Sequence, residues 1–460
     1  MIKSINTVNI SNIKTSSVRA LSPCNTNNLS FKAEADSPQK NTSVLYKSTD
    51  KSVVRTTLTK NEKKIYSKVL SELPRAQRKQ VDLLLRKGIL LNSNSNDSST
   101  VLDNMGKIIT EKRALGLDKK VILSELVNTL SNPFVITQKF GDIPNKELKD
   151  IINNPGNYVP QENCTPTKYD KSIKNIRSSS CVAASIEFDL ASKQPAEFAR
   201  IANGLTSEKI SVDKKLKTTD IAQNWVEASW FLKEFKADYE RKNWDEFTIK
   251  MCPDRNAIVR ARIQMTNKDP NERSLIDVLM QSTFMNIGSQ RTYNSITDER
   301  TGKYNPDNKG LTDIEKSFAE AVATGKNKCS VTYQIIDDDG MITGYECDFQ
   351  TMKKHIIGAL NMGENVIVGY TQQDNNNKVI NGHEITIVRL DKDKNGKEVF
   401  VCNDTDDDSE LPVKYYVEDL IPSIHHAGLP LQVIKDELDS KPAWHEVMDY
   451  YKSIKQNNAA

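Results

Sequence analysis

The stretch GHEITIVRLDKDKNGKEVFVCNDTDDD (residues 382–408) reads as two β-strands folded back around Asn395-Gly396. Branched and aromatic residues crowd both arms, and an Asn-Gly pair between such arms is a strong hairpin signal. The first arm opens on His383, beside Gly382 and after the polar loop TQQDNNNKVIN (371–381). The second arm ends in Asn403 and Asp404. Strand side chains alternate between faces, so only one of these two shares a face with His383. A two-residue turn pairs Leu390 with Val401 and selects Asp404. A bulge or a longer loop selects Asn403 instead.

Moving upstream, ENVIVGY (364–370) is another apolar strand. FQTMKKHIIGALNM (349–362) is a helix in which His355 is a packing residue. KCSVTYQIIDDDGMITGYECDF (328–349) reads as two strands joined by Asp339-Gly340. Before residue 328 the period is helical. TDIEKSFAEAVATG (312–325) has readable ends: Thr312 and Glu315 form a capping box, and Gly325 suits the residue after the last turn. SLIDVLMQSTFMNIGS (274–289) and IAQNWVEASWFLKEFKADYE (221–240) extend the helical reading back toward residue 181. Helices first and strands second predict an α+β fold, a helical half packed on an antiparallel sheet.

Further upstream, TKNE (59–62) is a capping box, and Ile65, Val69 and Leu73 recur at helical spacing. Pro74 suits the first turn of a second helix, which carries Val81, Leu84 and Leu85 and stops at Gly88. TVLDNMGKII (100–109) and DKKVILSELVNTL (118–130) complete a helical module over 59–138. Residues 1–58 are rich in Ser, Thr and Asn, and residues 1–60 hold nine Lys or Arg against three Asp or Glu. Such a segment buries too little surface to offset its ordering entropy and reads as a disordered basic tail. A main domain over 139–435 and a C-terminal helical tail over 436–460 complete the division.

Composition narrows the function. The 460 residues carry 64 basic and 61 acidic side chains, a net charge of +3, which does not suit a nucleic-acid binder. Mean hydropathy is -0.57, and no apolar run nears the roughly 20 residues that cross a bilayer. No signal-peptide core is recognised, so a cytoplasmic address is the default expectation, with export by another route left open. The 7 cysteines are widely spaced with no CxxC pair, which speaks against a disulfide scaffold or a cysteine-rich zinc site. DKDKNG (391–396) opens like a calcium loop, but its twelfth position is Cys402 where a bidentate Glu is needed. No cofactor or metal is expected, and the oligomeric state stays open.

One cysteine stands apart. In NIRSSSCVAASIEFDLA (175–191) Cys181 lies between a serine-rich turn and a helix apolar on most sides. A thiol at a helix N-terminus faces unpaired N–H groups and the positive end of the dipole, both of which favour thiolate. The competing reading is an inert core cysteine. A nucleophile needs a base, and His383 at the mouth of its strand is better placed than His355, His425, His426 or His445, which read as packing, turn or boundary residues.

A cysteine opening a helix, then a histidine on a strand, then Asn or Asp ending the next strand resembles the papain-like cysteine peptidases, including calpain-type cores. The resemblance spans about residues 140–435. It implies a helical half, a β half and a cleft between them, with a protein or peptide as substrate. By resemblance Cys181 is the nucleophile and His383 the base. VFVCND favours Asn403 over Asp404 as the orienting residue, and Asn175, six residues before the cysteine, stands where the family keeps its oxyanion glutamine. RSSS replaces the family's glycine-rich approach, and Val182 replaces its aromatic. Two alternatives stay open: a transglutaminase-like acyltransferase or deamidase using the same three groups, which Asp404 would favour, and an inactive pseudo-peptidase acting as a binding module. The acidic run 404–410 reads as a solvated loop or a cleft border, and Trp225, Trp230 and Trp244 as core or cleft-wall residues.

Overall fold

The computed structural model describes residues 7–8, 55–139, 178–266, 272–296, 298–304, 310–407 and 410–439. Within the stretch expected to be a tail, Thr7–Val8 (β1) pairs in parallel with Ser330 and Val331. Most of that stretch, and residues 440–460 of the expected C-terminal tail, lie outside the described residues.

Four helices then form: α1 (Lys60–Glu72), α2 (Arg75–Arg86), α3 (Val101–Thr110) and α4 (Lys119–Ser131). Their starts follow from capping. The Thr59 N–H donates to Glu62 Oε2 at 2.8 Å and the Glu62 N–H to Thr59 Oγ1 at 3.3 Å. A second box, Thr100 with Asp103, opens α3. α5 (Cys181–Lys193) and α6 (Pro195–Leu205) come next, and the apolar stripes of α1–α4 share one hydrophobic cluster with them. Burial of so many Leu, Ile and Val side chains, each worth about 1.5–3 kcal/mol, is what holds this half together.

Residues 212–251 depart from the helical expectation. Here β2 (Val212–Lys217), α7 (Trp225–Glu234), β3 (Tyr239–Arg241) and β4 (Glu246–Met251) alternate, the strands forming an antiparallel sheet in the order β2-β4-β3. VDKKLK alternates buried and exposed as a strand should, but Lys214 occupies an inner position. Glu197 neutralises it at 2.6 Å, so the residue type hides the period. Of the tryptophans expected in the core or on a cleft wall, Trp244 is 64% exposed and Trp230 41% exposed, so neither is a core residue, and Trp230 lines a surface pocket.

α8 (Ala257–Thr266), α9 (Leu275–Gly288) and α10 (Asp313–Thr324) finish the helices of this half. Gly325 stops α10 at φ 68°, in the left-handed region, as its sequence position predicts.

The second half is built from β5 (Lys328–Thr332), β6 (Gln334–Ile336), β7 (Ile342–Tyr345), α11 (Phe349–Asn361), β8 (Val366–Gln373), β9 (Val379–Lys392), β10 (Glu398–Asn403), β11 (Val413–Tyr416), α12 (Val417–Leu420), β12 (Ile424–Pro430) and α13 (Leu431–Asp439). A seven-stranded sheet runs β1-β5-β12-β8-β9-β10-β11. All its pairs except β1–β5 are antiparallel. The expected strand over 328–336 is broken at Tyr333, whose N–H donates to His425 O while its carbonyl accepts from Glu346. β5 thereby joins the large sheet, and β6 pairs with β7 alone.

The large sheet has two covered faces. Ile367 and Val388 belong to the helical core, while Val368, Ile385, Ile387 and Phe400 pack with Met352 and Ile356 of α11. α5 lies against β9. The chain is therefore α+β, with the cysteine-bearing helix beside the histidine-bearing strand.

Candidate active site

Every residue of α5 from Val182 to Ser192 is buried, so the helix packs on all sides as its sequence implies. Cys181, at its first position, is only half-buried. No side chain caps this N-terminus, and Ser180 sits there at φ -91°, ψ 20°. The serines instead anchor the approach. Ser180 Oγ donates to Gln281 Oε1 at 2.8 Å, the Ser179 N–H to Asp298 Oδ2 at 2.6 Å, and the Ser178 N–H to Gln138 O at 3.2 Å. Side-chain bonds thus fix a turn that glycines would otherwise shape by backbone freedom.

His383 and Asp404 meet from neighbouring strands. His383 Nε2 lies 2.8 Å from Asp404 Oδ1, and both side chains are about nine-tenths buried, at 9% and 10% exposure. Asp404 also accepts from Tyr415 Oη at 2.5 Å and from the Asp406 N–H at 3.0 Å. The Tyr370 ring stands edge-on to the imidazole at 5.7 Å. Burial disfavours the imidazolium, but the Asp404 carboxylate and its neighbours together outweigh it, and His383 is held well above its usual range. Tyr370 and the Cys181 side chain push the same way, the latter as a hydrogen-bond partner of the ring. For Asp404, burial raises the carboxyl while His383 and Tyr415 bring it below the ordinary value. With Nε2 engaged by Asp404, Nδ1 is the nitrogen left for sulfur.

Asn403 goes the other way. It pairs with Thr386, shares its face and is 1% exposed, with its side-chain oxygen unpartnered. The family resemblance favoured Asn403, and in this geometry it does not touch the imidazole. The reason is a double shift in register. The connection is longer than two residues, so Lys392 pairs with Glu398 and Leu390 with Phe400. Taken alone, that shift would turn Asn403 toward the histidine. A bulge between Val401 and Cys402 adds a second shift and returns Asp404 to the His383 face.

A short segment stitches these pieces together. Thr137 Oγ1 and the Gln138 N–H both donate to Thr405 O, at 2.9 Å each, so residues 137–138 join the position after Asp404 to the serine turn before Cys181. Sequence reading missed Gln138, Gln281, Tyr370, Tyr415 and Thr405. Only Tyr370 carried a signal, as an aromatic on the strand that flanks the histidine. Asn175, expected as an oxyanion donor, lies outside the described residues, as does His445. His355 packs as expected, 2% exposed with Nδ1 3.1 Å from Tyr333 Oη. His425 and His426 lie on β12 rather than in a turn.

Beneath the cysteine, Gln281 Nε2 donates to Glu187 Oε2 at 3.0 Å and to Thr137 O at 2.9 Å. Burial pushes Glu187 and Asp277 above the usual carboxyl range; Asp277 raises Glu187 further while the Glu187 hydrogen bond lowers Asp277, so the proton the pair retains rests on Glu187. Among the described residues Cys181, Cys252, Cys329 and Cys402 form no disulfide, and no helix is long and apolar enough to cross a membrane.

No protein-family model, no curated protein and no solved structure matches the chain.

Proposed function

We propose that the chain is a cysteine-dependent peptidase or thiol hydrolase of papain-like design, with Cys181 as nucleophile, His383 as acid–base group and Asp404 as the residue that orients the imidazole. The observation that carries this reading is that a buried carboxylate holds the His383 imidazole at 2.8 Å on the strand against which the helix opened by Cys181 packs. A neutral structural histidine has no need of that carboxylate. An imidazolium beside sulfur does, since it favours the thiolate.

In the reaction, Cys181 Sγ attacks the carbonyl carbon of a peptide or isopeptide bond, and the carbonyl π electrons move to oxygen. The uncapped first turn of α5 offers N–H groups to that oxyanion. Collapse breaks the C–N bond, and His383 Nδ1 gives its proton to the departing amine. Water, deprotonated by His383, then attacks the thioester, releasing acid and restoring the thiol–imidazole pair.

Asp404 in place of an asparagine supports a second reading, a transglutaminase-like deamidase acting on glutamine side chains by the same acyl-enzyme. Incubating the protein with glutamine-containing peptides and reading products by mass separates the two. Shortened peptides support the peptidase, and ammonia release from intact peptides supports the deamidase. Turnover that survives Cys181→Ala refutes both, and a thiol no more reactive than free cysteine makes the protein a binding module.

A further inference from the structure

Next to His383 on β9, Glu384 points to the opposite face of the strand. It is buried, with Oε1 2.5 Å from His426 Nε2 and Oε2 3.4 Å from Lys316 Nζ. Gly369 of β8 lies between the two acid–base partners, pairing with Glu384 on one side and His426 on the other. A Cβ at position 369 would stand 2.6 Å from Glu384 Oε1 and closer still to His426 Cε1, so the contact across the strand requires a glycine.

β12 bulges at this place. Ile424 pairs with Tyr370 and His426 with Gly369, leaving His425 as the extra residue. On a regular strand two consecutive side chains face apart, whereas here the bulge brings His425 Nδ1 to 2.8 Å from His426 Nδ1. Asp313, the first residue of α10, completes the group with Oδ1 3.3 Å from His426 Nδ1. Ligand atoms of the three residues all lie within 4.8 Å of one another. A zinc ion bound at about 2.0–2.1 Å keeps adjacent tetrahedral ligands roughly 3.3 Å apart, so modest side-chain movement suffices.

We propose that Asp313, His425 and His426 form a binding site for a zinc-class divalent cation, with Glu384 orienting His426 from behind. Two imidazole nitrogens and one carboxylate oxygen suit zinc, cobalt or nickel and not calcium or magnesium, which take oxygen ligands. A ligating histidine ordinarily turns its second nitrogen to a carboxylate, which fixes ring and tautomer. Glu384 occupies that place, and His426 Nε2 is buried with no other well-aligned partner. Asp313 keeps 24% of its side chain exposed, which leaves an entry path and room for a fourth ligand. The ion would tie the start of α10 to β12, one strand from β8 and two from β9. No sequence motif announces the set, because its members come from two elements more than a hundred residues apart.

The test uses full-length Cys181→Ala protein, so that the thiol beside His383 cannot contribute. Chelator-stripped protein is titrated with zinc against a chromophoric chelator. One zinc per chain is expected, weakened at least tenfold by Asp313→Asn and by His425→Gln, and about 10–100-fold by Glu384→Gln. Cobalt(II) should give the d–d spectrum of a nitrogen–oxygen site with no thiolate charge-transfer band, a readout on the parent that does not depend on how the variants fold. Less than one zinc per chain in the parent overturns the site. So does parental affinity in both Asp313→Asn and His425→Gln, or a cobalt spectrum showing sulfur ligation. None of these outcomes bears on the peptidase reading.

Discussion

Replacing Asp404 with asparagine is the sharpest perturbation of the candidate active site. The carboxylate accepts from His383 Nε2 at 2.8 Å, Tyr415 Oη at 2.5 Å and the Asp406 N–H at 3.0 Å. An amide keeps the shape but loses the charge that contributes most to offsetting burial of the imidazolium. A hydrogen bond to a charged group is worth about 1.5–3 kcal/mol, and one pKa unit is about 1.4 kcal/mol. The His383 value should therefore fall by about 1–2 units, and the thiolate–imidazolium form should lose roughly 10–100-fold against the neutral pair. Iodoacetamide alkylation reads this without a substrate, because only the thiolate reacts. Cys329 and Cys402 give little background, since burial pushes the first thiol up to about 11 and the second well above its ordinary value. Peptide mass spectrometry assigns the label to Cys181. The expected result is alkylation near neutral pH about 10–100-fold slower in Asp404→Asn, with Asn403→Ala unchanged. Equal rates in wild type and Asp404→Asn, or a matching loss in Asn403→Ala, would refute the reasoning.

Three further outcomes follow from charge and packing. His383 is raised, so its stabilising contribution is full below about pH 6.5 and is lost as pH rises through its folded value; Asp404 is lowered, so its contribution is present above about pH 4 and lost on acidification. The urea-unfolding deficit of Asp404→Asn should accordingly be largest between about pH 4 and 6.5 and shrink in alkaline buffer, and a deficit growing with pH would contradict the assignment. Glu187 and Asp277 are shifted the other way, so the folded protein holds protons that the unfolded chain releases, and stability falls as pH climbs above about 4. Glu187→Gln should flatten that decline, as followed by urea midpoints across the neutral range; an unchanged slope would count against the shared proton. Gly369→Ala forces a Cβ against His426 and Glu384 and should cost about 1–3 kcal/mol in chemical denaturation, while a neutral effect would mean those side chains do not meet.

The sequence exposed the parts of the site and left their joining open. A cysteine before an apolar run and a histidine after a glycine are local features, and each sits on the element its pattern suggests. The choice between Asn403 and Asp404 depended on two one-residue shifts that cancel, the longer connection at 393–397 and the bulge at 401–402. Each shift alone points to Asn403, and neither leaves a mark in residue types. The strand at 212–217 was hidden by Lys214, a charged side chain on an inner face made tolerable by Glu197. His425 and His426 read as turn residues because consecutive polar rings do not suit a regular strand, and a bulge resolved the conflict. In each case a long-range partner supplied what local pattern lacks.

The most direct trial of Cys181 as a nucleophile is rapid-quench reaction with an activated ester such as p-nitrophenyl acetate, followed by intact mass and peptide mapping. The expected result is a burst of nitrophenol approaching one equivalent, with the acetyl group on Cys181, strongly slowed in His383→Ala and absent in Cys181→Ala. An ester consumed without acylation at 181, or a burst indifferent to loss of His383, would contradict the account.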